Sequence, residues 1–285
     1  MQHIMLDHRS AYVRAILASL VVAVGLAPLG LWARHQHIGP GTVPLFDASG
    51  RSYWLIGLIF AFFAAILFQV LDRDAAYAMA TAADRGVRYE PISELPTAWV
   101  VPIVSTITAV MLLAIYHSQA AIACIALGFF FVVAASAISR RHLFDAEEWT
   151  RGRARGAYTI LIHVVAFFAL SMIYINKVRS IFSATAVLIV TVLLLVQLTE
   201  GEDELFGRRL VYGIVGGVML GQITWVLNYW KATGWTGGAA LLVFFYLSAG
   251  LILSQVREGA KKRDVLEFGG VSVVAFGIVM YSMFG

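Results

Sequence analysis

Residues 97–138 read TAWVVPIVSTITAVMLLAIYHSQAAIACIALGFFFVVAASAI, an apolar run whose interpretation decides the fold. As a single helix rising 1.5 Å per residue the run would be roughly 63 Å long, twice the hydrocarbon core of a bilayer. It must turn back, and the polar group His117-Ser118-Gln119 is where a turn fits. Two helices, 97–116 and 119–138, replace one. That choice sets the sidedness of everything downstream.

The charges test the choice. Outward from this hairpin, further apolar spans read at 11–32, 52–71, 156–175, 181–199, 208–230, 235–256 and 265–284, nine in all. With nine spans, 16 of the 21 Lys and Arg residues fall on one side and 5 on the other. Fusing the hairpin into one helix would leave 8 against 13. Basic residues collect on the cytoplasmic side of membrane proteins, so the nine-span reading is preferred, N-terminus in and C-terminus out. Of the 17 acidic residues only Asp47 falls on the other side. Polar chemistry is therefore expected at the basic end. Trp54, Tyr229, Trp230 and Trp235 at one boundary and Trp99 and Trp149 at the other read as interfacial aromatics.

Composition agrees. Of 285 residues, 60% are hydrophobic and 13% charged, and the mean hydropathy is +0.81. Soluble domains are about 45–50% apolar and about 25% charged. The expected fold is all-α, a polytopic integral membrane bundle of about nine transmembrane helices. The expected place is the cell membrane, bacterial or archaeal plasma membrane in the first instance. The net charge of +4 points to anionic lipid headgroups, with no nucleic acid. The one cysteine, Cys124, forms no intramolecular disulfide and no metal cluster. Span 11–32 follows Arg9 and is longer than a signal-peptide core, so it reads as a retained helix.

The chain reads as one transmembrane domain, 1–285. The inner end of span 52–71 continues Gln69-Val70-Leu71-Asp72-Arg73-Asp74, and that of span 181–199 reads Gln197-Leu198-Thr199-Glu200-Gly201-Glu202. The match raises a repeat of two four-helix halves, 52–175 and 181–284, with helix 11–32 added. Acids are common after membrane spans, and chance is the preferred explanation. The Ala-rich stretch 75–83 reads as a short interfacial helix in the polar segment 72–96, closed by Pro91 and Pro96.

Candidate sites are few. Gly213, Gly217 and Gly221 form a ridge at spacing four, and helix packing is the first reading; an acyl groove is the second. His163 is the one ionisable side chain well inside a span. Gln222 and Asn228 are deep amides that must face protein or water, and with Thr224 and His163 they are the candidate ligand-binding set. Interhelical bonding is the plainer role for each.

At the basic end, Asp72, Asp74, Arg151, Arg155, Glu200, Glu202 and Arg208 form charged clusters able in principle to hold a diphosphate headgroup. The acids before span 208–230 also complement a helix N-terminus, and the arginines satisfy the sidedness rule. His35 and His37 lack the partners of a defined metal site, and no metal or cofactor is expected. No Walker A, GxSxG, HExxH or dinucleotide fingerprint occurs. Buried charge is nearly absent, which disfavours ion-coupled transport.

Three classes of function follow. The leading one is binding or translocation of a lipid or apolar small molecule. The alternatives are a membrane enzyme on a lipid-linked substrate at the cytoplasmic face, and a structural or assembly subunit. Expected partners are the bilayer, such a ligand, and a membrane protein partner or a second copy.

Overall fold

The computed structural model describes residues 2–39, 50–83, 97–143, 147–176, 180–200, 202, 206–230 and 234–284. Among them are nine helices and no strand: α1 Gln2–His35, α2 Arg51–Ala83, α3 Val100–Ile115, α4 Gln119–His142, α5 Glu148–Ile175, α6 Ser180–Leu198, α7 Phe206–Asn228, α8 Gly234–Glu258 and α9 Lys262–Phe284. All but α3 are long and apolar enough to cross a membrane. The chain is a polytopic helical bundle. It divides into two compact units: α1–α4 with α5 through Leu161, and the rest of α5 from Ile162 with α6–α9.

In unit 1, α1 packs on α2, α3 and α4, and α3 packs on both α2 and α4. Val22, Leu26 and Leu29 of α1 meet Tyr53 and Phe68 of α2, Leu113 of α3 and Phe129 and Val133 of α4 in one core. The outward faces are just as apolar: Val21, Val24, Ile59, Ile66 and Phe131 are exposed. Lipid tails solvate such faces, so hydrophobicity does not hold these helices together and close packing must. The buried Tyr53 hydroxyl adds a tie, donating to the Val110 carbonyl at 2.7 Å.

The hairpin turns where the polar group stands. α3 ends at Ile115 with Tyr116 as its cap, and Ser118 caps α4 by accepting from the Ala121 amide at 3.2 Å. α3 is shorter than the expected span 97–116. Its 16 residues cover about 24 Å, less than the hydrocarbon thickness. Val100 N donates to Thr97 O in a turn at 3.0 Å, and Pro102 stands in the first turn, where a missing N–H costs nothing. The shortness is tolerated because α3 is enclosed; Ile107 is its one exposed residue.

Two expectations are corrected. The stretch 75–83 is not a separate interfacial helix: α2 runs without a break to Ala83, because no Gly or Pro interrupts it and Ala is the best helix former. The expected spans 119–138 and 156–175 are also too short: α4 continues to His142 and α5 begins at Glu148, so Arg140, Arg141, His142, Arg151 and Arg155 stand on helix ends.

In unit 2 the tightest pair is α6 and α7. A Cβ on Gly213, Gly217 or Gly221 would stand 3.1, 2.9 and 3.3 Å from the carbonyl oxygens of Val192, Leu188 and Ala184. The α7 ridge lies directly on the α6 backbone, and no acyl groove runs along it. α8 approaches α5 as closely, with the position of a Gly238 Cβ 2.6 Å from Ser171 Cα. Tyr174 of α5 donates to the Leu227 carbonyl of α7 at 2.8 Å. At the α8–α9 turn Gly259 takes φ 76°, a left-handed conformation that glycine adopts without strain. Asp264 then accepts from the Lys261 amide at 3.0 Å and from the Ser254 hydroxyl, opening α9.

Candidate functional site

One group of polar residues in unit 1 gathers at its basic end, where α4 finishes, α2 passes through Asp72 and the first apolar turns of α1 begin. Arg140 is 6% exposed, and its Nη1 pairs with Asp72 Oδ1. Burial makes this pair a requirement more than a gain: loss of either partner would strand a desolvated charge. The neighbouring Arg141 is half-buried and has no ion pair among the described residues. Its guanidinium stands 5.9 Å from the Tyr12 ring centre, a cation–π contact. The Tyr12 hydroxyl lies 2.9 Å from His142 Nε2, and the two rings stack at 5.8 Å. Arg14 is also within electrostatic reach of Arg141.

Between these groups is a cleft of about 30 Å³, lined by Asp72, Arg140, Arg141, Ser136, Pro102 and Tyr158 among others. That is room for a water or for one or two oxygens of a larger group at the mouth. Two arginines, Arg140 and Arg141, line it with one carboxylate, Asp72. The Asp74 side chain lies outside the described residues.

The basic end of unit 2 is built differently. Arg209 is 2% exposed, donating from Nε to Thr199 Oγ1 at 3.2 Å and from Nη2 to Val196 O at 2.7 Å. Glu200, equally buried, accepts from Gln197 Nε2. Glu202 pairs with Arg257 at 2.8 Å, while Arg208 is exposed. Its two buried charged side chains, Arg209 and Glu200, are each held by hydrogen bonds from or to α6 and the turn that follows it. The sequence match between Gln69…Asp72 and Gln197…Glu200 does not extend to the contacts. Gln197 bonds its own acid, whereas the shielded Gln69 amide bonds nothing among the described residues.

The four deep candidates take up different surroundings. Gln222 is exposed on α7 of the single chain and, among the described residues, meets neither another helix of this copy nor a cavity described above. Thr224 is fully buried and donates to Leu220 O at 2.8 Å, on the opposite side of the helix. Asn228 is half-buried, its amide shielded and bonded to nothing among the described residues. His163 stands about four turns into α5, deeper than the span 156–175 implied, edge-on to Phe245 at 5.3 Å and Tyr246 at 6.0 Å. None of the four lines either cavity described here.

Arg151 and Arg155 are half-buried near the start of α5, and Arg153 lies over Trp149 at 5.7 Å. At the opposite end of unit 1 an open depression of about 570 Å³ is lined by Arg34, Tyr116, His117, Ser118 and Gln119. His35 and His37 do not form a ligand pair, since His37 Nδ1 is 3.1 Å from the His35 carbonyl. No three His, Cys, Asp or Glu side chains among the described residues gather closely enough to hold a metal ion.

The fold and the polar helix ends define a multi-pass helical membrane protein with a cationic cleft at one rim. The chain belongs to the family described as Protein of unknown function (DUF5656), whose model matches residues 34–282. The matched stretch begins at the end of α1 and takes in α2 through nearly all of α9. No curated protein and no solved structure is similar enough to match the chain.

Proposed function

We propose that the protein binds a membrane lipid through an anionic headgroup at the basic end of unit 1. The observation that carries this reading is the half-buried Arg141, which makes no ion pair among the described residues and shares the field of the single carboxylate Asp72 with the buried Arg140. A partly desolvated guanidinium is costly without a counter-anion, and a phosphate can satisfy it bidentately. Tyr12 holds the guanidinium from below. Arg14 adds to the positive potential, each such cation being worth about 1 kcal/mol toward anionic lipid at a membrane surface.

The cleft is too small to swallow a headgroup, so phosphate oxygens enter and the rest stays at the rim. The acyl chains lie on the exposed apolar face of α1, where Val13, Leu17, Leu20 and Val24 line up from the cleft outward. This favours binding over translocation within the leading class. The site differs from the deep amides expected from sequence. The membrane in question is the plasma membrane, where the basic end faces anionic cytoplasmic lipid.

The test is native mass spectrometry of protein taken from vesicles of mixed phosphatidylglycerol and phosphatidylcholine. Wild type should retain phosphatidylglycerol preferentially. Arg141→Gln should lower that retention several-fold, and Arg141→Lys should restore part of it. Equal retention by wild type and Arg141→Gln would reject the proposal.

A further inference from the structure

α7 has two faces. One carries the glycine ridge against α6. The other presents Val211, Val215, Val218, Gln222 and Val226, all exposed and spaced as one stripe along the helix. In this stripe Gln222 alone is polar. It stands six residues before the end of α7 at Asn228, roughly 9 Å along the axis, which places its amide inside the hydrocarbon and short of the headgroups. It makes no hydrogen bond among the described residues.

Lipid tails offer no donor or acceptor, and an unpaired amide in hydrocarbon is destabilising. A primary amide is also self-complementary, with two N–H donors and a carbonyl acceptor on one flat group. Across a two-fold axis two such amides satisfy each other reciprocally, which is the geometry of an isologous dimer. The valines on the N-terminal side, compact and with restricted side-chain rotamers, allow the paired helices to approach without ordering long side chains.

We propose that two copies of this chain associate through α7, with Gln222 Nε2 of each donating to Gln222 Oε1 of the other. The interface is separate from the α6–α7 ridge, which the fold of the single chain already occupies.

The test uses full-length protein in lipid vesicles, with energy transfer between labelled copies followed as lipid dilutes the protein. Gln222→Leu removes both reciprocal bonds, each worth about 3- to 30-fold between membrane helices, and so should raise the dissociation constant about 10-fold or more, and Gln222→Asn should recover part of it. A second probe leaves the amide intact. In a Cys124→Ser background, Val218→Cys should form a disulfide-linked dimer on oxidation, and Val274→Cys on the exposed face of α9 should not. Concentration-independent monomer, unchanged association of Gln222→Leu, or cross-linking at residue 274 but not at 218 would each overturn the proposal.

Discussion

Gly217 of α7 rests against the backbone of Leu188 on α6, so closely that a Cβ would stand 2.9 Å from the Leu188 carbonyl oxygen and 2.6 Å from a methyl of Val192. The neighbour is backbone and cannot rotate away. Gly217→Ala should therefore destabilise the protein by about 1–3 kcal/mol, as overpacking does, and Gly217→Leu should prevent folding. Gly128→Ala is the control, since nothing lies within 4 Å of that site. Thermal unfolding in detergent reads the difference.

The Arg140–Asp72 pair makes a prediction of opposite logic. Neither Arg140→Met nor Asp72→Asn leaves a matched set, and Arg140→Met should cost about 3–5 kcal/mol by leaving Asp72 unpaired. The double substitution Arg140→Met with Asp72→Leu should be less harmful than the single Arg140→Met. A double-mutant cycle in chemical denaturation measures the coupling. Additive losses would mean that the pair does not interact.

Tyr53 and Tyr174 each donate to a carbonyl of another helix, Val110 and Leu227 respectively. Those carbonyls belong to helix backbone and keep partial satisfaction when the hydroxyl is removed. Tyr53→Phe and Tyr174→Phe should each cost about 1 kcal/mol, and together they should add, because the two ties lie in different units. Non-additivity in unfolding experiments would contradict this.

The sidedness of the bundle is tested with reporters. Alkaline phosphatase fused after Gly285 should be active and a fluorescent protein at the same place dark. Fusions after Leu143, at the end of the hairpin, should give the reverse. A cytoplasmic C-terminus would sink the nine-span topology and with it the placement of the cationic cleft at the anionic leaflet.

The candidate site was only half legible. The glycine spacing in 213–221 pointed to a packed face, and that ridge held the clue to Gln222. Gln222 follows Gly221 by one residue, about 100° round the helix, whereas Thr224 follows by three and comes back near the ridge. Once the ridge meets α6, Thr224 is drawn inside and Gln222 turned away. Arg140 and Arg141 were visible as basic residues at a span end. Their separation into a buried arginine in an ion pair and a half-buried one against an aromatic ring was not, because it depends on Asp72 and Tyr12 arriving from other helices. His142 and Tyr158 carried no local signal at all.

Hydropathy and charge by themselves determined that the chain is helical, where it crosses the bilayer, and where the hairpin at His117-Ser118 turns. Those are properties of a segment and its solvent, and each segment carries them alone. Which side of each helix faces protein was decided only by tertiary structure. Both faces of these helices are apolar, so no periodic contrast marks the inside. Contact between backbones, at Gly217 and Leu188 or at Gly238 and Ser171, selects the face that neighbours cover. The polar side chains then go wherever that choice carries them.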